Sequence, residues 1–396
     1  MDNGMSSRPL PYSRQDISEA DIAAVTAVLR SDFLTQGQEL PAFEAEFAAL
    51  HQVPYAVAVG NATQALHIAC LALGIGPGSR VWTTPNSFLA SANCARYCGA
   101  EVDFVDIDPT TRQLGLDALA TKLARARAEE RLPQLVIPVD FAGLPCDWPA
   151  LRQLADAYGF RLLQDASHAT GATLHGQPMG SAWADLSVFS FHAVKVVTTA
   201  EGGIVTTRDA ALASRLQRLR SHGMVREPAD MLNPPDGPWS YEQQLLGYNY
   251  RMTELQAALG RSQLRRLPEM QARREALAAR YDRLLAGLPL RLAPRRDGAR
   301  SAWHLYAVEL DDDALARTDR RAVFEGLRSR GLGVQVHYIP IHTQPYYREL
   351  GFRPGDFPAA EDYYARCISL PLFPAMTDAD QNRVAAALGE LLSRPR

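Results

Sequence analysis

The chain has 396 residues, more than one hydrophobic core usually holds, so a large domain and a smaller one are expected. Hydrophobic residues make up 47% and charged residues 21%, ordinary for a globular enzyme, and the formal net charge of −3 offers no electrostatic case for nucleic acid or an anionic membrane. The five cysteines (Cys70, Cys94, Cys98, Cys146 and Cys367) are odd in number in a long chain, which argues against a disulfide framework, and their spacing suggests no metal site.

MDNGMSSRPL has no apolar signal core and reads as part of a polar leader, residues 1–11. No apolar run is long enough to span a membrane, so a cytoplasmic protein is expected. Ser18-Glu19-Ala20-Asp21 resembles a capping box, with Asp in place of Glu, ahead of the helical IAAVTAVL, and PAFEAEFAAL (41–50) follows the break at Gly37. Short apolar runs then alternate with helical segments. The runs are YAVAV (55–59), RVWTT (80–84), VDFVDI (102–107), LVIPVD (135–140) and RLLQD (161–165). This rhythm predicts a mostly parallel sheet covered by helices. DLSVFSFH (185–192) and GGIVTTR (202–208) read as further strands without intervening helices.

Residues 12–260 form the expected large α/β domain. Residues 252–288 have helical periodicity long enough for two helices or one bent helix, and 261–396 form the expected smaller α+β domain. Within it WHLYAVEL (303–310) and VQVHY (334–338) read as strands, and 320–331 and 378–392 as helices. DDDALARTDR (311–320) reads as a solvated loop and LNPPDGPW (232–239) as a mobile one.

Several polar residues fall at the carboxyl ends of predicted strands, where open parallel sheets bind ligands. Gly60-Asn61-Ala62-Thr63 lies where a strand turns into a helix, and is either an ordinary cap or a phosphate cradle. Asp165 closes RLLQD as a partly desolvated carboxylate, either a structural ion pair or a partner for a bound cation. His168 follows three residues later, and a lone histidine is often only a structural hydrogen-bonder. Phe88, in TTPNSFLASAN, is either a core aromatic or a ring contact. Ser190 and Lys195 stand on the next strand and its following turn.

Lys195 is the sharpest signal. Of 41 Lys and Arg residues only Lys122 and Lys195 are lysine, and Lys195 sits in the apolar stretch FSFHAVKVV. Burial lowers an amine's pKa and makes it a nucleophile able to form a Schiff base, which Arg cannot do. The bland alternative is an aliphatic stem snorkelling to water. A phosphate cradle, a carboxylate, a ring contact and a Schiff-base lysine together suit pyridoxal 5'-phosphate.

The ordered set GNAT, TTPNSFLASAN, QDASHATG, FSFHAVKVVTTAEGG, GYNYRMTELQAALG, VHYIPIHTQPYY and ISLPLFP resembles the DegT-type, pyridoxal-phosphate-dependent sugar aminotransferases from about residue 11 to 390. The resemblance implies the fold type I (aspartate aminotransferase-like) architecture, a mostly parallel central sheet with a smaller C-terminal α+β domain. It implies a homodimer with site residues from both subunits. Lys195 would be the Schiff-base lysine, Asp165 the partner of the pyridine nitrogen and His168 the contact to the ring hydroxyl. Thr63, the Ala62 backbone and Ser190 would hold the phosphate, with Asn249 reaching it from the neighbouring subunit. Arg251 would serve nucleotide phosphates, and His337, Tyr338 and His342 would lie near the sugar. GNAT departs from the Ser-Gly-Thr common in relatives, so Asn61 puts a larger side chain beside the phosphate.

Within the family, LPYSRQDISEADIAAV, LRSDFLTQG, IPVDFAG, RSHGM and VHYIPIH resemble the members serving pseudaminic acid biosynthesis. That likeness implies amino transfer from L-glutamate to C4 of a UDP-linked 4-keto-6-deoxy-N-acetylhexosamine. Other nucleotide-sugar 3- or 4-aminotransferases remain open. A dehydratase on the same scaffold would carry His in place of Lys195. A non-catalytic regulator would want an appended DNA-binding segment, which the sequence lacks.

Overall fold

The apolar runs pair as strands because they are too short for helices and rich in Val, Ile and Leu. The computed structural model describes residues 8–393. Seven strands form the central sheet: β1 (Tyr55–Val59), β2 (Arg80–Thr83), β3 (Glu101–Phe104), β4 (Leu135–Ile137), β5 (Arg161–Asp165), β6 (Leu186–Ser190) and β7 (Gly203–Thr207). Their order is β1-β7-β6-β5-β4-β2-β3. All pairs are parallel except those of β7, which runs antiparallel to both β1 and β6. This is the mostly parallel α/β sheet expected. Several strands end earlier than their apolar runs, because Thr84, Val105–Ile107 and Pro138–Asp140 leave the ladder to build the rim at the carboxyl ends.

Helices α1 (Glu19–Leu29), α2 (Glu39–Leu50), α3 (Ala62–Ala72), α4 (Ala90–Tyr97), α5 (Leu116–Ala128), α6 (Trp148–Tyr158), α7 (Ala210–Arg220) and α8 (Glu254–Leu284) surround the sheet, α1 packing outside it on α8. One core packs α2, α5, α6 and α8 on one face of the sheet, and a second packs α3, α4 and α7 on the other. The Ser18–Asp21 capping box forms at the start of α1, with the Ser18 amide donating to Asp21 Oδ2 at 2.8 Å. α8 is one helix rather than two. It opens on a second capping box, Thr253 with Gln256, and continues through Pro268.

Strands β8 (Leu290–Arg291), β9 (Tyr306–Leu310) and β10 (Cys367–Leu370) form a separate antiparallel sheet in the order β8-β9-β10. Helices α9 (Asp312–Arg317), α10 (Arg320–Ser329), α11 (Pro345–Glu349), α12 (Pro358–Arg366) and α13 (Asp378–Ser393) complete the chain. A third core lies here, joined by the end of α8 through Leu277 and Tyr281.

Two sequence expectations fail. Residues 311–320 are not a loop: Asp311 caps α9 by accepting from the Ala314 amide at 2.9 Å, and Asp312 and Asp313 favour the helix N-terminus. Residues 334–338 form no strand, only an isolated bridge between Gln335 and Ser369. The His337 ring there bonds the Ser369 hydroxyl at 2.8 Å while the backbone turns toward the carboxyl edge of the large sheet.

The polar leader falls mostly at residues 1–7, outside the described residues. From residue 8 the chain is folded onto the small unit. Leu10 is buried, its amide donates to the Gly331 carbonyl at 2.9 Å, and its carbonyl accepts from Gly333 at 2.6 Å. Among the described residues all five cysteines are buried free thiols, and no helix is long and apolar enough to cross a membrane.

Candidate active site

The loop 191–202 leaves β6 and returns as β7, so its ends are adjacent rungs: Ser190 pairs with Gly203. Its apolar residues are anchors. Phe191 is fully buried, edge-on to Phe43 and Phe47 at 5.4 and 5.5 Å, and Val196 and Val197 are buried on the far side of the lysine. This explains the apolar setting of Lys195, since the neighbours pin the loop while the lysine's amine faces the rim. The Lys195 amide closes the turn onto the His192 carbonyl at 2.9 Å. Ser13, from the N-terminal strap, donates to the Val194 carbonyl at 3.2 Å. Burial pushes the Lys195 amine down to about 8, with Asp165 opposing that shift. Among the described residues the amine has no hydrogen-bond or ion-pair partner.

Asp165 is buried at 4% exposure at the end of β5. Its Oδ2 accepts from Ser91 Oγ at 2.6 Å and its Oδ1 from the Ser167 amide at 3.1 Å. Ser91 Oγ in turn lies 2.7 Å from Ser87 Oγ. No Lys, Arg or His nitrogen among the described residues pairs with this carboxylate. A buried carboxylate without a cation is costly, so its position favours a cationic ligand.

Beside Asp165, His168 is buried between two partners. The Ala142 amide donates to Nδ1 at 3.2 Å. That makes Nδ1 the acceptor, so in the neutral ring Nε2 carries the proton and donates to Tyr338 Oη at 3.2 Å. Burial first, then the nearby Lys195 and His337, hold His168 well below the usual histidine range. His304 packs 4.4 Å from it, centroid to centroid, and is likewise held neutral by burial and by His168 and Lys195. Burial and Lys195 lower His337 to about 3. Three neutral imidazoles thus stand around one amine. Burial also raises Tyr338, and Asp165 adds to the effect. Its ring lies 6.4 Å from Phe88, which is 58% exposed.

The start of α3 is the third part. Asn61 is the cap, and its Oδ1 accepts from the Gln64 amide at 2.9 Å. The Ala62 and Thr63 amides ahead of it have no partner among the described residues. Gly203 draws Ser190's rung against this helix start: a Cβ there would meet Ala62 N and Cα at 2.7 Å. Only glycine allows this approach, which joins Ala62, Thr63 and Ser190 in one corner.

Other expected residues are not in this cluster. His342 is fully buried, bonded through Nε2 to Glu361 at 2.9 Å and packed on Phe357, so it presents no face to a ligand. Asn249 is exposed and bridges Ser221. Arg251 is half-buried and pairs with Val59, next to the α3 start. The structure adds Ser87, Ser91, His304 and Tyr12, whose ring lies 5.8 Å from that of His337. Ser87 and Ser91 both lie within TTPNSFLASAN, whose sequence reading singled out only Phe88, while His304 and Tyr12 reach the site from separate elements that no short motif marks.

A carboxylate without a cation, an amine without a partner and two helix-start amides without acceptors, all among the described residues, together with a hydroxyl, are the donors and acceptors pyridoxal 5'-phosphate requires at its ring nitrogen, aldehyde and phosphate. A family model for the DegT/DnrJ/EryC1/StrS aminotransferase family matches residues 15–389. The spore coat polysaccharide biosynthesis protein SpsC of Bacillus subtilis (strain 168) is 38% identical over 388 residues, 97% of each chain. Helicobacter pylori PseC, an aminotransferase involved in the biosynthesis of pseudoaminic acid, is 30% identical. It superposes with a TM-score of 0.88 over 97% of this chain and 99% of its own. Spr1654 from Streptococcus pneumoniae in its PLP form is 29% identical, with a TM-score of 0.86 over 97% and 98% of the two chains.

Proposed function

This chain belongs to the DegT/DnrJ/EryC1/StrS aminotransferase family, and we propose that it transfers an amino group from L-glutamate to C4 of a UDP-linked 4-keto-6-deoxy-N-acetylhexosamine of the L-arabino series, as in pseudaminic acid biosynthesis. It is a transaminase, and its cofactor is pyridoxal 5'-phosphate. The observation that carries the chemistry is the Lys195 amine, in the loop that leaves β6, near the Asp165 carboxylate at the end of the adjacent β5, the amine having no partner and the carboxylate no cation among the described residues. The likeness to PseC supports the choice of sugar.

The bound cofactor supplies an electron sink for charge developing at the amino-bearing carbon. Lys195 Nζ would be the site of attachment and, once free, the base that carries the proton removed from that carbon. Its pKa of about 8 suits general base catalysis near neutral pH. Asp165 would face the ring nitrogen and keep it protonated. His168 would orient the ring from the side of its hydroxyl, and Phe88 would cover a face. Ala62, Thr63 and Ser190 would bind the phosphate, with Asn249 arriving from a second copy of the chain. Arg251 would meet nucleotide phosphates, and His337 and Tyr338 would border the sugar. For His342, the buried bond to Glu361 favours a structural role instead.

The test starts from protein converted to its amino form with glutamate. The UDP-4-keto-6-deoxy-N-acetylhexosamine is added with C5 inverted (L-arabino) or not (D-xylo), and return of the lysine-linked cofactor absorbance is followed. Selective return with the L-arabino sugar is expected. Preference for the D-xylo sugar would move the protein to a bacillosamine- or legionaminic-type reaction. No return with either would discard this substrate and keep the transaminase.

A further inference from the structure

A carboxylate can rotate about its last torsion, which is broad for Asp. Asp165 does not have that freedom, because each of its oxygens takes one hydrogen bond, Oδ2 from Ser91 and Oδ1 from the Ser167 amide. The Ser167 bond is local, two residues along the chain. The Ser91 bond comes from the first turn of α4, on a different part of the sheet's rim. At 2.6 Å it has the length of a hydroxyl bonded to a charged acceptor.

The direction of the next link follows. Ser91 has one proton and spends it on Asp165, so its oxygen must accept from Ser87, 2.7 Å away. Ser87 and Ser91 are buried at 3% and 0% exposure, out of reach of bulk water that could replace either hydroxyl. Both links therefore point the same way, toward the carboxylate, and each strengthens the other.

We propose that Ser91, backed by Ser87, is a positioning residue that holds the plane and the charge of the Asp165 carboxylate toward the cofactor's ring nitrogen. The proposal rests on the reading of Asp165 given above. Without the Ser91 hydroxyl the carboxylate swings about a single local bond and its hold on the ring nitrogen weakens. That nitrogen is common to both halves of the reaction, so both must slow together while neither substrate's binding changes.

The experiment compares holoenzymes of Ser91→Ala, Ser91→Thr, Ser87→Ala and Asp165→Asn. Single-turnover rates are measured with glutamate and with the keto sugar, and the absorbance of the bound cofactor is titrated with pH. Ser91→Ala is expected to slow both halves by about ten- to a hundredfold, the loss of one hydrogen bond to a charged group. Both KM values should stay within about twofold, and the absorbance titration should shift. Ser87→Ala should slow both halves by about threefold, and Ser91→Thr should restore both rates. Wild-type rates and titration in Ser91→Ala, with Asp165→Asn inactive, would overturn the positioning role and leave Asp165 in place. Wild-type rates and titration in Asp165→Asn would instead remove Asp165. If Ser91→Ala does not fold, Ser87→Ala decides: an unshifted titration and unchanged rates there overturn the relay.

Discussion

Lys122 sits at the edge of the large sheet and Lys195 near its centre. Both amines are pushed below their ordinary range by burial first. The Lys122 amine is nonetheless fully engaged. It pairs with Asp103 Oδ2 at 2.6 Å, donates to the Phe104 carbonyl at 2.5 Å and lies 4.9 Å over the Trp82 ring. It covers the edge strand β3, where an unpaired carbonyl would otherwise be open to another chain. Lys195 has the same kind of buried stem and none of these partners. Burial alone does not separate the two lysines; the presence or absence of an acceptor for the amine does.

The strongest way to break this contrast is to exchange each lysine for arginine. Lys195→Arg is expected to lower turnover by at least about 10³-fold, since a guanidinium neither forms an imine nor gives up a proton near neutral pH. Lys122→Arg should leave turnover within about twofold, because arginine keeps the charge and the donors. Equal losses in steady-state assays of the two variants would end the distinction. Next in size is the anchor of the 191–202 loop. Phe191→Ala removes a fully buried ring and should cost about 3–5 kcal/mol of stability in denaturant titrations.

A pH series sharpens the contrast at lower cost. On the proposed role of Lys195, capture of added cofactor by apoprotein needs its neutral amine, so the rate should rise about tenfold per pH unit below 8 and level off above. The unfolded chain keeps that lysine's proton up to about 10.5, so the unfolded state binds more protons between pH 8 and 10.5. Apoprotein stability should therefore climb with pH through that window, and Lys195→Met should flatten the climb. The smallest effect belongs to Lys122→Ala. Losing one partly exposed ion pair and one carbonyl partner should cost about 1 kcal/mol, with activity retained.

The sheet was legible because its strands are short apolar runs, most of them bounded by helices, a pattern carried by residue order. The direction of β7 was not. GGIVTTR reads as a strand in either sense, and only the short return through 191–202 makes it antiparallel. VQVHY alternates like a strand, yet His337 spends its ring on Ser369 and Tyr338 its hydroxyl on His168, so the segment serves the rim and not a ladder. The acidic run at 311–313 looked like solvent-facing charge, and its first member proved to be a helix cap. At the site, Lys195 and Asp165 stood out because a charge inside an apolar stretch or at the end of an apolar strand needs a reason. Ser91 lies within TTPNSFLASAN, yet a serine among small residues in a helix looks ordinary until the fold sets it against Asp165.

The pairing of Ser190 with Gly203 has a consequence for how the gene can change. Residues 191–202 are a stitch whose two ends are fixed on neighbouring rungs, with Phe191 and Val197 pinned between them. Gaining or losing a single codon inside it would turn Lys195 away from the rim or pull an anchor from the core. The exposed stretch 232–239 carries no buried anchor: Glu242 ties its start through the Leu232 and Asn233 amides, and Ser240 takes the Asp236 and Gly237 amides at the surface. In a library of one-codon insertions and deletions selected for activity, survivors should gather in 232–239 and be missing from 191–202.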